Sequence, residues 1–241
     1  MEPRTSVIEK RLKNVKRIIA VASGKGGVGK SLVASSLALH LANKGHRGGL
    51  LDLDLYGPSS HIILGIINEI PTEEKGIIPP TVHGISFMSI VYFTEDKPSP
   101  FRGVDISNII LELLAITQWG NLDFLVIDMP PGIGDETLDV IRYMKTSEFL
   151  VVTTSSKVSM GAVGKLLKIL VEMKKPLLGV IENMTMKDSL YIEEEAKKLH
   201  VRYLGKIRFD DNLEDAIGKT NRLVKTQVMK NLTTILKKIN L

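Results

Sequence analysis

The chain contains no cysteine. Without a thiol, disulfides and every thiolate metal site are excluded for this chain alone. Histidine offers no substitute, because His40, His46, His61, His83 and His200 are scattered without ligand spacing. Long apolar runs are missing too. None reaches the roughly 20 residues of a membrane-spanning helix, and the opening "MEPRTSVIEK" lacks a signal peptide's apolar segment. These absences predict a cytoplasmic protein. What remains is ordinary for one globular domain: 241 residues, 44% hydrophobic and 24% charged.

The net charge of +5 hides an uneven distribution. Arg4, Lys10, Arg11, Lys13, Lys16 and Arg17 lie near the start, and Lys219, Arg222, Lys225, Lys230, Lys237 and Lys238 near the end. These ends hold 12 of the 32 basic residues and 2 of the 27 acidic ones, leaving a body of 20 bases against 25 acids. Basic ends on an acidic body fit either solvated faces of terminal helices or a contact with nucleic acid or membrane.

Apolar runs alternate with helix-period segments throughout. The segments 17–23, 48–55, 123–129, 149–155 and 176–183 read as strands, most of them too uniformly apolar to have a wet face, which marks a parallel sheet covered on both sides. Segments 31–45, 104–119, 163–175 and 192–200 read as helices, and 201–207 as a last strand. This alternation predicts a doubly wound α/β fold with a mostly parallel sheet, in a single domain over 1–241. Residues 56–103 read as an irregular insertion over the sheet, with one strand at 84–90.

The stretch "VASGKGGVGKSLVASS" (21–36) carries the chemistry. Gly24 to Ser31 satisfy G-x-x-x-x-G-K-[ST] between a strand and a helix. The predicted nucleotide site comprises Gly24, Lys25, Gly26, Gly27, Val28, Gly29, Lys30, Ser31 and Leu32. The glycines let successive N–H groups point at phosphate oxygens, and the helix adds its positive end. Lys30 would reach the β- and γ-phosphates, and the Ser31 hydroxyl would ligate Mg²⁺. Lys25 either reaches a partner's nucleotide, as an arginine finger does, or is a solvated loop lysine.

Three further positions join this set. Asp52 and Asp54 are two apart and would share one strand face, where paired carboxylates need a cation or a polar network. Asp128 ends an apolar strand at the Walker-B position, where a carboxylate holds Mg²⁺, and Gly132 beyond it could offer its N–H to a γ-phosphate. Asn183, read as lying just past a strand end, could both donate to and accept from adenine. Met186 stands where guanine readers usually carry aspartate, which favours ATP over GTP.

Together these residues resemble the deviant Walker A ATPases that include MinD and ParA. Within them, "DLDLYGPS", "FRG", "WGNLDFLVIDMPPGIGDE" and "GVIENM" resemble the Mrp/ApbC branch of ATP-dependent iron–sulfur cluster carriers. The resemblance implies a homodimer with ATP at the interface, Lys25 on the partner's phosphates, Asp54 positioning the attacking water beside the metal, and Asp128 with Ser31 holding Mg²⁺. Asn183 would touch adenine. Family carriers place a C-x-x-C pair after the "ENM" element, where this chain reads "ENMTMKDSLYIEEE". No self-held iron–sulfur cluster is therefore expected. Leu32 replaces a usual threonine, and Arg208 a usual proline.

The resulting expectation is a slow, Mg²⁺-dependent dimeric ATPase that assists iron–sulfur or metallocofactor assembly through a client or scaffold protein. The alternative is a MinD/ParA-like switch acting at membrane or DNA. The apolar stripe Val228, Met229, Leu232, Ile235, Leu236 and Ile239 would serve it as a lipid face, or else pack into the core.

Overall fold

A computed structural model of the chain describes residues 4–94 and 103–241. Phe101 and Arg102 of the "FRG" motif lie outside the described residues.

The first half runs α1 (Arg4–Leu12), β1 (Val15–Ser23), α2 (Lys30–Asn43), β2 (Gly48–Asp52), α3 (Ser60–Leu64), β3 (Thr72–Glu73), β4 (Ile77–Ile78), β5 (Thr81–Val82), β6 (Ile85–Ser89) and α4 (Val91–Thr94). Then come α5 (Gly103–Ile116), β7 (Leu122–Asp128), α6 (Asp135–Tyr143), β8 (Ser147–Thr154), α7 (Lys157–Glu172) and β9 (Leu177–Thr185). The chain closes with α8 (Tyr191–Lys198), β10 (Tyr203–Arg208), α9 (Leu213–Ala216), α10 (Thr220–Leu223) and α11 (Gln227–Lys237).

Eight strands form one sheet in the order β10-β9-β8-β1-β7-β2-β6-β5, parallel except for the β5–β6 edge pair. The predicted α/β class and doubly wound sheet hold. The apolar runs are continuous because each face of the sheet has its own core. On β1, Ile18 and Ala20 face the cluster shared with α1, α5, α6 and α7, while Ile19 and Val21 face α2 and α11. β7 alternates likewise, with Leu125 and Ile127 toward the first core and Val126 toward the second. Period-2 geometry then makes every residue apolar.

Several boundaries depart from the sequence reading. β2 stops at Asp52 rather than 55, although Leu53 and Leu55 stay buried, so burial continues after the ladder ends. The helix expected from 163 begins at Lys157, where the Ser156 hydroxyl accepts the Ser159 N–H and caps it. Residues 56–103 are not simply laid over the sheet, because β6 pairs with β2 along its whole length. α6 was not expected at all.

The ends are docked. Arg11 donates to the carbonyls of Ala115 (3.0 Å) and Lys75 (2.9 Å), and Arg4 to the Asn108 side chain (2.9 Å). The apolar stripe of α11 and Ile239 is buried in the second core, so that face is not open to lipid. No helix among the described residues is long and apolar enough to cross a membrane.

Candidate functional site

β1 hands the chain to α2 on one face, and its neighbour β7 hands it to α6 on the other. Ligands in open α/β sheets bind at such a crevice beyond the carboxyl ends of the strands. The loop Gly24–Gly29 occupies it.

Two glycines in this loop are fixed by close approach. A Cβ at Gly24 would sit 2.5 Å from the backbone of Ala162 and Val163 on α7. Gly29 adopts φ 80°, and a Cβ there would meet the Asn183 side chain at 2.2 Å. Gly24→Ala should therefore destabilise the protein by about 1–3 kcal/mol, read as a lower urea midpoint; an unchanged midpoint would contradict this packing.

Asn183 has a different position from the one expected. It lies inside β9, 1% exposed, and its Nδ2 donates to the Val28 carbonyl at 2.9 Å. In this arrangement it braces the loop across the sheet. Gly132 (φ 87°) is likewise occupied: its N–H donates to the Ser23 carbonyl at 3.1 Å. Leu32 is buried in the second core, which accounts for an apolar side chain at that place.

Lys30, 5% exposed, pairs with Asp128 and lies 3.9 Å from Asp54. Asp54 is beyond the end of β2, so it does not share a strand face with Asp52; its Oδ1 instead accepts the Gly57 N–H at 3.1 Å. Asp52 and Asp128 are register partners on β2 and β7, both fully buried. Ser60, not singled out from the sequence, joins them. Its hydroxyl donates to Asp128 (3.2 Å) and its N–H to Asp52 (3.1 Å). Only its place at the start of α3, set by the turn after "YGP", could have revealed it.

Burial, and then the neighbouring Asp128, push the Asp52 carboxyl up to about 7. Burial also raises Asp128, opposed by Lys30 and by a hydrogen bond from Ser31. A carboxyl raised on folding holds its proton more tightly in the folded state, so its contribution to stability is complete below about pH 4 and fades toward pH 7. The nucleotide-free protein should lose stability across that window, and Asp52→Asn should flatten the slope. Urea titrations at pH 5 and 7 check this; an equal slope in both proteins would refute it.

A cavity of about 300 Å³ opens beside the loop, lined by Lys25, Gly27, Lys30, Ser31, Asp54 and Pro131 among others. The backbone N–H groups of Gly26, Gly27 and Gly29 make no hydrogen bond to the described residues. Unused donors, two lysines and a hydroxyl beside carboxylates fit a phosphate chain with Mg²⁺. Lys25 is half-buried at the rim. The structure thus brings Lys25, Lys30, Ser31, Asp54 and Asp128 to one place.

The ParA family, described as NUBPL iron-transfer P-loop NTPases, matches residues 14–240. An iron–sulfur cluster carrier protein of Pseudomonas fragi is 42% identical over 179 residues, covering 73% of this chain and 62% of that protein. Its counterpart in Rickettsia felis is 39% identical over 223 residues, covering 91% and 70%. The chain thus spans about two thirds of the length of such relatives. A solved nucleotide-binding protein from Archaeoglobus fulgidus, in complex with ADP, is 30% identical with a TM-score of 0.76, covering 94% and 93%. The cell division ATPase MinD of Pyrococcus furiosus, 19% identical with a TM-score of 0.69 over 94% and 99%, has the same fold.

Proposed function

The chain belongs to the ParA family of NUBPL iron-transfer P-loop NTPases, and from that premise we propose that it is a Mg²⁺-dependent ATPase of iron–sulfur or metallocofactor assembly. It works as a homodimer, and the metal cargo is held by a partner protein, because this chain has no cysteine. The observation that carries the reading is that Lys25, Lys30 and Ser31 line the loop cavity while Asp128 lies buried behind it, paired with Lys30.

The loop N–H groups and Lys30 bind the phosphates, which requires Lys30 to exchange its Asp128 partner for phosphate oxygens. Ser31 and Asp128 would hold the metal, with Asp54 beside them. Mg²⁺ would supply positive charge to the phosphates. Asp54 orients the water that attacks the γ-phosphorus, and the bond to the β-bridging oxygen breaks to give ADP and phosphate. Lys25 supplies positive charge to the partner's nucleotide. Gly132 senses the γ-phosphate once its N–H leaves Ser23, and Asn183 reaches adenine once it leaves Val28.

Closure of the dimer on ATP presents the protein to its client, and hydrolysis resets it. Turnover is slow because both subunits must assemble first. Light scattering with and without a non-hydrolysable ATP analogue and Mg²⁺, run beside phosphate release, tests this. Doubling of mass with the analogue and release of phosphate from ATP are expected. A monomer under both conditions, without release, would overturn the proposal.

A further inference from the structure

A larger concavity, about 770 Å³, also borders α3. Isoleucines dominate it: Ile62, Ile66, Ile67 and Ile70, with Val91 and Tyr92 alongside. Its base is fixed by backbone contact. A Cβ at Gly65 would sit 2.3 Å from the Gly218 carbonyl oxygen, and the Gly218 N–H donates to Ile63 at 3.0 Å. Within this rigid frame Ile67 and Ile70 are 83% and 79% exposed. Contiguous apolar side chains left in water around a concavity mark a binding surface.

Charge narrows the occupant. Glu69 lines the groove, with no lysine or arginine among the described residues that line it, and Glu73 and Glu74 are exposed further along the chain. The Tyr92 hydroxyl, behind the same wall, is buried and has no hydrogen-bond partner among the described residues. We propose that this groove docks an amphipathic segment of a partner protein, aliphatic on the face that enters between the isoleucines and basic where it passes Glu69.

The groove also borders the nucleotide machinery. On α3, Ile62 lines the groove and Ile63 lines the loop cavity, while Ser60 at the helix start bonds to Asp52 and Asp128. Docking and nucleotide state are coupled through this one helix. The coupling rests on the nucleotide reading above; the docking does not.

Fluorescence anisotropy of a labelled amphipathic Leu/Lys peptide and its Leu/Glu counterpart tests the groove, first without nucleotide. The Leu/Lys peptide should bind at least about tenfold more tightly than the Leu/Glu one. The double variant Ile67→Ser/Ile70→Ser, altered only at exposed positions, should weaken it at least about tenfold. Glu69→Gln keeps an acceptor for the N–H groups of Ile67 and Asn68 and should narrow the gap between the peptides. Equal binding of both peptides, or full affinity in the double variant, would overturn the docking proposal. Self-association that the double variant abolishes would overturn it too, by assigning the groove to a second copy. Adding Mg²⁺ and an ATP analogue, with nucleotide binding confirmed by calorimetry in the same sample, should shift the peptide affinity. An unchanged affinity there refutes the coupling alone, and failure of the nucleotide to bind refutes the nucleotide reading alone.

Discussion

Lys30→Ala should lower the affinity for ATP and ADP at least about 100-fold, the loss expected when a charge-assisted contact to phosphate disappears. The same change removes the cation facing Asp128 and Asp54. Asp128 is fully buried, and stripping one partner from a buried ion pair costs about 3–5 kcal/mol. Burial raises the Asp128 carboxyl, and removing Lys30 takes away the largest influence opposing that rise. Calorimetry reads the first effect and urea unfolding the second. A variant that binds ADP as the wild type does would show that Lys30 is only a core ion pair.

Lys25→Ala should leave nucleotide affinity within about threefold of the wild type but lower turnover at least about 100-fold, the loss expected on removing a finger-type cation. The lysine is half-buried at the cavity rim, and among the described residues no carboxylate pairs with it. Mixing separates a contribution across the dimer from one within a subunit. In a mixed dimer, Lys30→Ala offers an intact Lys25 but cannot bind nucleotide itself, and Lys25→Ala binds nucleotide but lacks the finger. Mixing the two inactive proteins should restore part of the hydrolysis. Wild-type turnover in Lys25→Ala, or no recovery on mixing, would place the lysine outside the reaction.

The sheet was readable because burial on both faces leaves unbroken apolar runs inside β1 (18–22), β7 (124–127), β8 (149–152) and β9 (177–181). That same burial blurs ends. Leu53 and Leu55 are apolar for the core, not for the ladder, so the strand was read past Asp52. The start of α7 was hidden by Ser159 and Gly161, residues that signal a break. Yet Ser159 is buried, and Ala162 and Val163 nearby press against Gly24 of the loop. The phosphate loop itself was legible because its chemistry is local in sequence. The links between Asn183 and Val28, 155 residues apart, and between Ser60 and Asp128, 68 apart, depend on strand order and leave no local trace. The C-terminal stripe allowed two readings, and its burial against the sheet selects core packing.

An assembly ATPase whose metal is held by a partner protein is tested most directly by the iron content of the protein purified anaerobically from its native host, with copurifying proteins identified. The expected result is iron only in fractions that contain a cysteine-bearing partner, and none with the chain alone. Iron-free protein carrying lipid, DNA or a partner unrelated to metal would contradict the claim and leave a nucleotide switch put to another use.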